Sequence, residues 1–250
     1  MDKRPKQKFG IAKACGPLSE VLRFRILGFV GAVVVVCFGV RGYAGQPKAA
    51  ANELGGDKAL YASIGGSAEN RAITVHKSDG SVETVLTIAQ LPEELEQLPI
   101  GLGNQSFADV ALSPDGRVVG FAVKGHVGWA GLLDLTTRSV RPVLLVAEGS
   151  VDRLLGWSPD GRYLAVQVTP ASGFKSIKII DANSGGAVAT PFAENAYTHE
   201  PDVDIINTSW DRSGTIFRFE LRRAENLREA YEFSLRTHRL SRVPSTAGAR

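Results

Sequence analysis

VALSPDGRVVGFAV (Val110–Val123) and GWSPDGRYLAV (Gly156–Val166) both spell Ser-Pro-Asp-Gly-Arg between two apolar runs. With Gly116 aligned on Gly161 the match extends well past the turn. SFADVALSPDGRVVGFAV (106–123) and GWAGLLDLTTRSVRPVLL (128–145) parallel SVDRLLGWSPDGRYLAVQV (150–168) and KSIKIIDANSGGAVATPF (175–192). A weaker copy runs from Asp204 to Val243, with Trp210-Asp211-Arg212-Ser213-Gly214 where the earlier copy has Trp157-Ser158-Pro159-Asp160-Gly161. A partial copy at 59–90 lacks the opening strand and its turn. An internal period of 40–50 residues marks a repeat architecture, in which each unit buries its faces against its neighbours.

Each full copy reads as four short strands. In the copy at 151–192 these are Val151–Trp157, Tyr163–Val168, Ser176–Asp181 and Ala187–Phe192, all apolar and rich in β-branched residues, with turn residues between them. Ser158-Pro159-Asp160-Gly161 is then a hairpin turn. Proline presets φ at its second position, Asp suits the third, and glycine takes the left-handed conformation that leads back into the sheet. Four-stranded units at this period are blades of a β-propeller. The expected fold is all-β and propeller-like, with about four blades at 59–90, 107–146, 151–192 and 203–243. The first is incomplete, and a short tail follows at 246–250.

LSPDGRVVGFAV with LLDL, and WSPDGRYLAVQV with IKIID, resemble the WD-like repeat of TolB-type propellers, which also occurs in the propellers of prolyl oligopeptidases. The resemblance covers Phe107–Phe192 well and Asp202–Val243 less closely. It implies the fold and suggests protein contacts in the cell envelope. It does not imply peptidase activity. In prolyl oligopeptidases the catalytic serine, aspartate and histidine sit on a separate α/β-hydrolase domain, and this sequence has no Gly-x-Ser-x-Gly elbow.

Ring closure is open to three readings: an open or imperfectly closed four-blade arc, a compact closed ring, or a propeller completed by a second chain. Side-chain alternation bears on the choice. Val119, Phe121 and Val123 match Leu164, Val166 and Val168, then Phe217, Phe219 and Leu221, giving one apolar face in three blades. The opposite face carries Gly120 and Ala122, then Ala165 and Gln167, but Arg218 and Glu220 in the last blade. A polar outer face marks a capping repeat.

The first 44 residues stand apart. Seven Lys and Arg residues precede the apolar run Ile26–Val40, and Gly42 and Ala44 are the small residues a signal peptidase requires. Residues 1–44 are expected to be a signal peptide or a retained membrane anchor, followed by a linker at 45–58. Fifteen helical residues span about 22 Å against a hydrocarbon core of about 30 Å, which favours cleavage. A lipoprotein signal is disfavoured, because Val36 stands before Cys37 where a small residue is needed. The basic leader stays on the cytoplasmic side, so the propeller is expected in the periplasm, free or facing it from the inner membrane.

Both cysteines, Cys15 and Cys37, fall in the leader, leaving the exported part without a thiol or disulfide. That part holds 21 basic and 24 acidic residues, so the basic character belongs to the leader and nucleic acid is not an expected partner. No cofactor is expected.

Strand alternation assigns the loops to two ends of the blades. The Ser-Pro-Asp-Gly turns, KSDG (77–80), TTRS (136–139) and DANSGG (181–186) lie at one end and are short. The longer connections 91–106, 124–128, 169–175, 193–201 and 222–228 lie at the other, and binding residues concentrate on such loops. The expected partner face includes Glu93, Glu94 and Leu95 in the first of these. It continues with Lys124 and His126, Phe174 and Lys175, Tyr197, and finally Arg222 and Arg223. Basic residues fall on connections inside blades and acidic ones between blades, a pattern that suits a polar protein or peptide partner. QLPEELEQLP (90–99) spaces Leu91, Leu95 and Leu98 for one face of a short helix.

Two alternatives remain. His199, Glu200 and Asp202 are weak metal or acid–base candidates, as in a small propeller hydrolase or lactonase with a carboxylate/histidine or Ca²⁺ site. The other is a structural assembly subunit completed by another chain, making an oligomer.

Overall fold

A computed structural model of the chain describes residues 58–67, 71–91, 105–125, 127–193, 203–223 and 227–244. They form fifteen strands in four antiparallel meanders. The first sheet is β1 (Ala59–Gly65), β2 (Ala72–Lys77) and β3 (Val82–Thr87). The second is β4 (Ser106–Leu112), β5 (Val118–Lys124), β6 (Gly128–Asp134) and β7 (Val140–Val146). The third is β8 (Gly149–Trp157), β9 (Tyr163–Pro170), β10 (Ser176–Asp181) and β11 (Gly186–Ala193). The fourth is β12 (Asp204–Trp210), β13 (Ile216–Arg222), β14 (Arg228–Ser234) and β15 (Arg239–Val243). This is the all-β, propeller-like architecture of four blades, the first with three strands.

Three apolar cores join the four sheets in series. Ile73, Val75 and Leu86 of the first sheet meet Phe107, Val119, Phe121 and Val123 of the second. Ala122, Leu132 and Leu144 meet Leu164, Val166 and Val168 of the third. Ala165, Ile177 and Ile179 meet Phe217, Phe219 and Leu221 of the fourth. The apolar face of each second strand thus points at the preceding blade. Among the described residues no strand of the fourth sheet packs on the first as strands of consecutive sheets do.

Burial along the second strands follows from this series. β5 is buried continuously from Val119 to Val123, because it is covered on both faces. β13 alternates: Phe217, Phe219 and Leu221 are buried, while Arg218 and Arg222 are exposed. Its polar side is closed by pairing within the sheet, Arg218 to Glu232 at 2.5 Å and Asn207 to Glu220 at 2.8 Å. The outer face of the fourth sheet is therefore charged and paired within the sheet, unlike the apolar outer faces of the second and third.

The Ser-Pro-Asp-Gly turns build the corners. Gly116 and Gly161 donate to the carbonyls of Ser113 and Ser158 at 2.9 Å, and both glycines have positive φ, 75° and 70°. Ser158 Oγ accepts from the Tyr163 N–H at 2.8 Å and donates to Asp160 Oδ1 at 2.5 Å; Ser113, Val118 and Asp115 repeat the pattern. In the fourth sheet the two chemistries exchange places. Asp211 accepts from the Ile216 N–H at 2.8 Å, and the Ser213 hydroxyl donates to Asp211 at 2.6 Å. One acceptor for the returning strand and one local donor suffice, in either order, so the copy lacking the motif keeps its turn.

These turns also pack blade on blade. A Cβ at Gly161 would meet Pro114 Cδ at 3.7 Å, and one at Gly214 would meet Asp160 Oδ1 at 3.2 Å and Ser158 Cβ at 3.4 Å. The two tryptophans before the turns add directed bonds. Trp157 Nε1 donates to the Ala111 carbonyl and Trp210 Nε1 to the Gly156 carbonyl, both at 3.1 Å. Asp109 Oδ2 accepts from the Leu154 N–H at 2.8 Å, and the Thr208 hydroxyl donates to the Leu155 carbonyl at 2.9 Å. Side chains thus satisfy first-strand backbone groups that face a neighbouring blade rather than a strand partner.

Candidate functional site

At the end of the blades away from these turns, β5, β9 and β13 finish while β6, β10 and β14 begin. The described candidates Lys124, Phe174, Lys175, Arg222 and Arg223 all occupy these connections, one per full blade. Lys124 is exposed at the end of β5, and Phe174 is half-buried before β10. Lys175 Nζ donates to the Val203 carbonyl at 2.9 Å, tying the third blade to the fourth. Arg222 pairs with Asp204 at 2.6 Å and Arg223 with Glu229 at 3.1 Å. Glu93, Glu94, Leu95, His126, Tyr197, His199, Glu200 and Asp202 lie outside the described residues, as do the leader and all of the linker but Lys58. Of the helix expected over 91–98, only Leu91 is described. It is fully buried in the first core, just after a single 3₁₀ turn at Ile88–Gln90.

Pairing changes the character of this end. Sequence alternation presents Arg222 and Arg223 as loop cations offered to a partner, whereas both are held by carboxylates of their own sheet. Glu229 is the hub. Its carboxylate meets Arg223 at 3.1 Å and Arg242 at 3.0 Å, and accepts from the Tyr231 hydroxyl at 3.2 Å. Burial raises its pKa, but these donors and charges outweigh burial and hold it below the ordinary value. Burial and the neighbouring Glu229 carboxylate push the Tyr231 hydroxyl up. Beside the hub lies a cleft of about 320 Å³ lined by Arg228, Glu229, Ala230, Arg242, Val243 and Pro244. Sequence reasoning missed Glu229 as a centre, because its partners come from two other segments.

A second polar network ties the third and fourth blades nearby. Asp152 accepts from Ser150, from Thr169 Oγ1 at 2.5 Å and from Gln167 Nε2 at 3.2 Å. Arg153 donates to Gln167 Oε1 at 2.9 Å and to the Ile205 carbonyl, and lies 3.8 Å from Asp204. Asp204 is thereby committed to Arg153 and Arg222. Among the described residues no three His, Cys, Asp or Glu side chains come together as a metal site. No helix among them is long and apolar enough to cross a membrane.

Four sheets packed face to face in series, with directed bonds between the first strands of the last three, define a propeller-like protein. No protein-family model matches the sequence, and no curated protein matches it significantly. Among solved structures, the chain is similar to TolB from Acinetobacter baumannii, at 15% identity over 72% of this chain and 39% of that one, TM-score 0.42. A putative TolB from Agrobacterium tumefaciens matches at 14% over 69% and 56%, TM-score 0.41. A prolyl endopeptidase structure matches at 12% over 74% and 29%, TM-score 0.48. The chain spans less than two thirds of each of these structures, and at such identities the likeness concerns the fold alone. TolB and prolyl endopeptidase propellers are the two groups that the repeat at 107–192 resembles.

Proposed function

We propose that this protein is an exported, non-enzymatic propeller that binds a protein or peptide partner in the cell envelope through its long-connection end. The observation that carries this reading is the organisation of that end around Glu229. Arg223 and Arg242 are fixed on one carboxylate beside a cleft of about 320 Å³, while Lys175 and Arg222 are pinned by Val203 and Asp204. Polar groups held in place before binding lose little freedom when a partner arrives, and fixed charges of both signs select a complementary protein surface. Export is supported by the basic, apolar and small-residue order of 1–44.

The test is site-directed photocrosslinking in intact envelopes. A photoreactive residue at Lys124 or Phe174 should capture a defined protein that the same residue at Asn183, at the opposite end, does not. Equal capture from both ends, or none from Lys124 and Phe174, would refute the assignment of the face.

A further inference from the structure

The short-turn end, which the loop lengths do not single out, holds a charged cleft between the first and second blades. Its volume is about 430 Å³, and its lining includes Lys58, Lys77, Glu83, Arg117, Thr136 and Arg138. Lys58 precedes β1, Lys77 ends β2, Arg117 follows the Ser113–Gly116 turn and Arg138 lies in the β6–β7 turn. Four cations thus converge from four chain segments, opposed by Glu83 and by Asp115 at the same cleft. Glu83 takes Lys77 at 3.0 Å and Arg138 from the other blade. The Lys77 hydrogen bond leads in holding its carboxyl below the ordinary range. Asp115 is engaged by Ser113 Oγ at 2.6 Å and the Arg117 N–H at 3.1 Å. Arg117 also favours the charged form of Asp115 electrostatically, and four cations against two carboxylates leave positive charge over at the cleft.

Arg138 has φ 59° in the β6–β7 turn, at the position that Gly185 fills at φ 72° in the third blade and His238 at φ 52° in the fourth, so the position is a shared left-handed turn corner that sets the direction of the Arg138 side chain. Four cations face two carboxylates along this cleft between the blades, an excess of positive charge that complements an acidic segment.

We infer that this cleft is a docking site for an acidic peptide segment, whose carboxylates are held by Lys58, Arg117 and Arg138. The site is at the opposite end from the proposed partner face and stands independently of it. The test is fluorescence anisotropy of a labelled glutamate-rich peptide titrated with the full chain at low and high salt. The glutamine counterpart and a set of variants serve as references. Lys58→Gln with Arg117→Gln should weaken binding about three- to tenfold, as two partly exposed charges contribute. Glu83→Gln should strengthen it by releasing Lys77 and Arg138. Arg236→Gln, an exposed cation in the fourth-blade turn outside both sites, should leave it unchanged, and added salt should weaken it. Circular dichroism melts establish that the variants fold. No binding by the parent chain, equal binding of the glutamine peptide, or an unchanged affinity in the double variant would overturn the inference. A loss in Arg236→Gln equal to that in the double variant would show attraction to surface charge in general, overturning the cleft while leaving the proposed partner face intact.

Discussion

Replacing Ser158 by alanine tests whether the recurring Ser-Pro-Asp-Gly turn is a structural corner. Ser158 is fully buried; its hydroxyl is the acceptor for the Tyr163 N–H at 2.8 Å and the donor to Asp160 Oδ1 at 2.5 Å. Alanine fits the space, since only an oxygen is removed, so no overpacking complicates the result. Two hydrogen bonds are lost at about 0.5–1.5 kcal/mol each, and the Tyr163 N–H is left half-buried without its side-chain acceptor, a penalty of about 1–3 kcal/mol. These overlap, and the expected cost is about 2 kcal/mol. With a urea slope of about 2 kcal/mol/M, the midpoint should fall by about 1 M. Urea unfolding followed in parallel by far-ultraviolet circular dichroism and tryptophan fluorescence is the assay, with coincident curves required for the conversion. Ser213→Ala is the internal comparison, because Ser213 is exposed and Asp211 keeps its acceptor role toward Ile216 at 2.8 Å. A shift below about 0.2 M for Ser158→Ala, or equal shifts for both variants, would refute the buried-acceptor account.

Two further outcomes follow from the same geometry. A Cβ at Gly128 would sit 2.6 Å from the Ser150 Cα and the Val151 N, both backbone atoms of the next blade, whereas one at Gly120 would meet the Leu164 Cδ2 at 2.8 Å. Backbone cannot step aside as a side-chain terminus can, so Gly128→Ala should cost about 3 kcal/mol or more and Gly120→Ala about 1–2 kcal/mol in the same unfolding assay. Asp211 is held at about 2 by the Ser213 hydroxyl and then by the Ile216 N–H, against an ordinary value of 3.8. A depressed carboxylate adds stability above its unfolded pKa, and this is lost as pH falls through its folded pKa. The contribution should be present at pH 5 and disappear between about pH 4 and 2. In Asp211→Asn that part of the stability–pH curve should flatten, measured by urea midpoints across the acid range.

Much of the architecture was legible in the chain because it rests on local chemistry. Period-two alternation named Val119, Phe121 and Val123 and their counterparts as one face, and all nine of these residues are buried against a preceding blade. The same alternation read Arg218 and Glu220 as a cap, and these pair within their own sheet. The candidate site was legible only in part. Lys124, Phe174, Lys175, Arg222 and Arg223 share one end, as strand parity requires, but loop composition did not reveal that Arg222 and Arg223 are already paired. Their partners are Asp204 and Glu229, brought near by antiparallel register in the fourth sheet.

By itself, the sequence determined which residues form strands, where the hairpins turn and which side of each strand is apolar. Those properties depend on neighbours within a few residues, on the two-residue strand period and on the stereochemistry of Pro, Asp and Gly. Tertiary structure alone decided how the blades are fastened. The Trp157 bond to Ala111, the Leu154 bond to Asp109 and the packing of Gly214 on Asp160 join residues from different copies of the repeat. So do the cations of Lys58, Arg117 and Arg138 around one cleft. Such meetings depend on the spacing and rotation of one sheet against the next, which follow from the packing of both faces at once and leave no periodic signal in the chain.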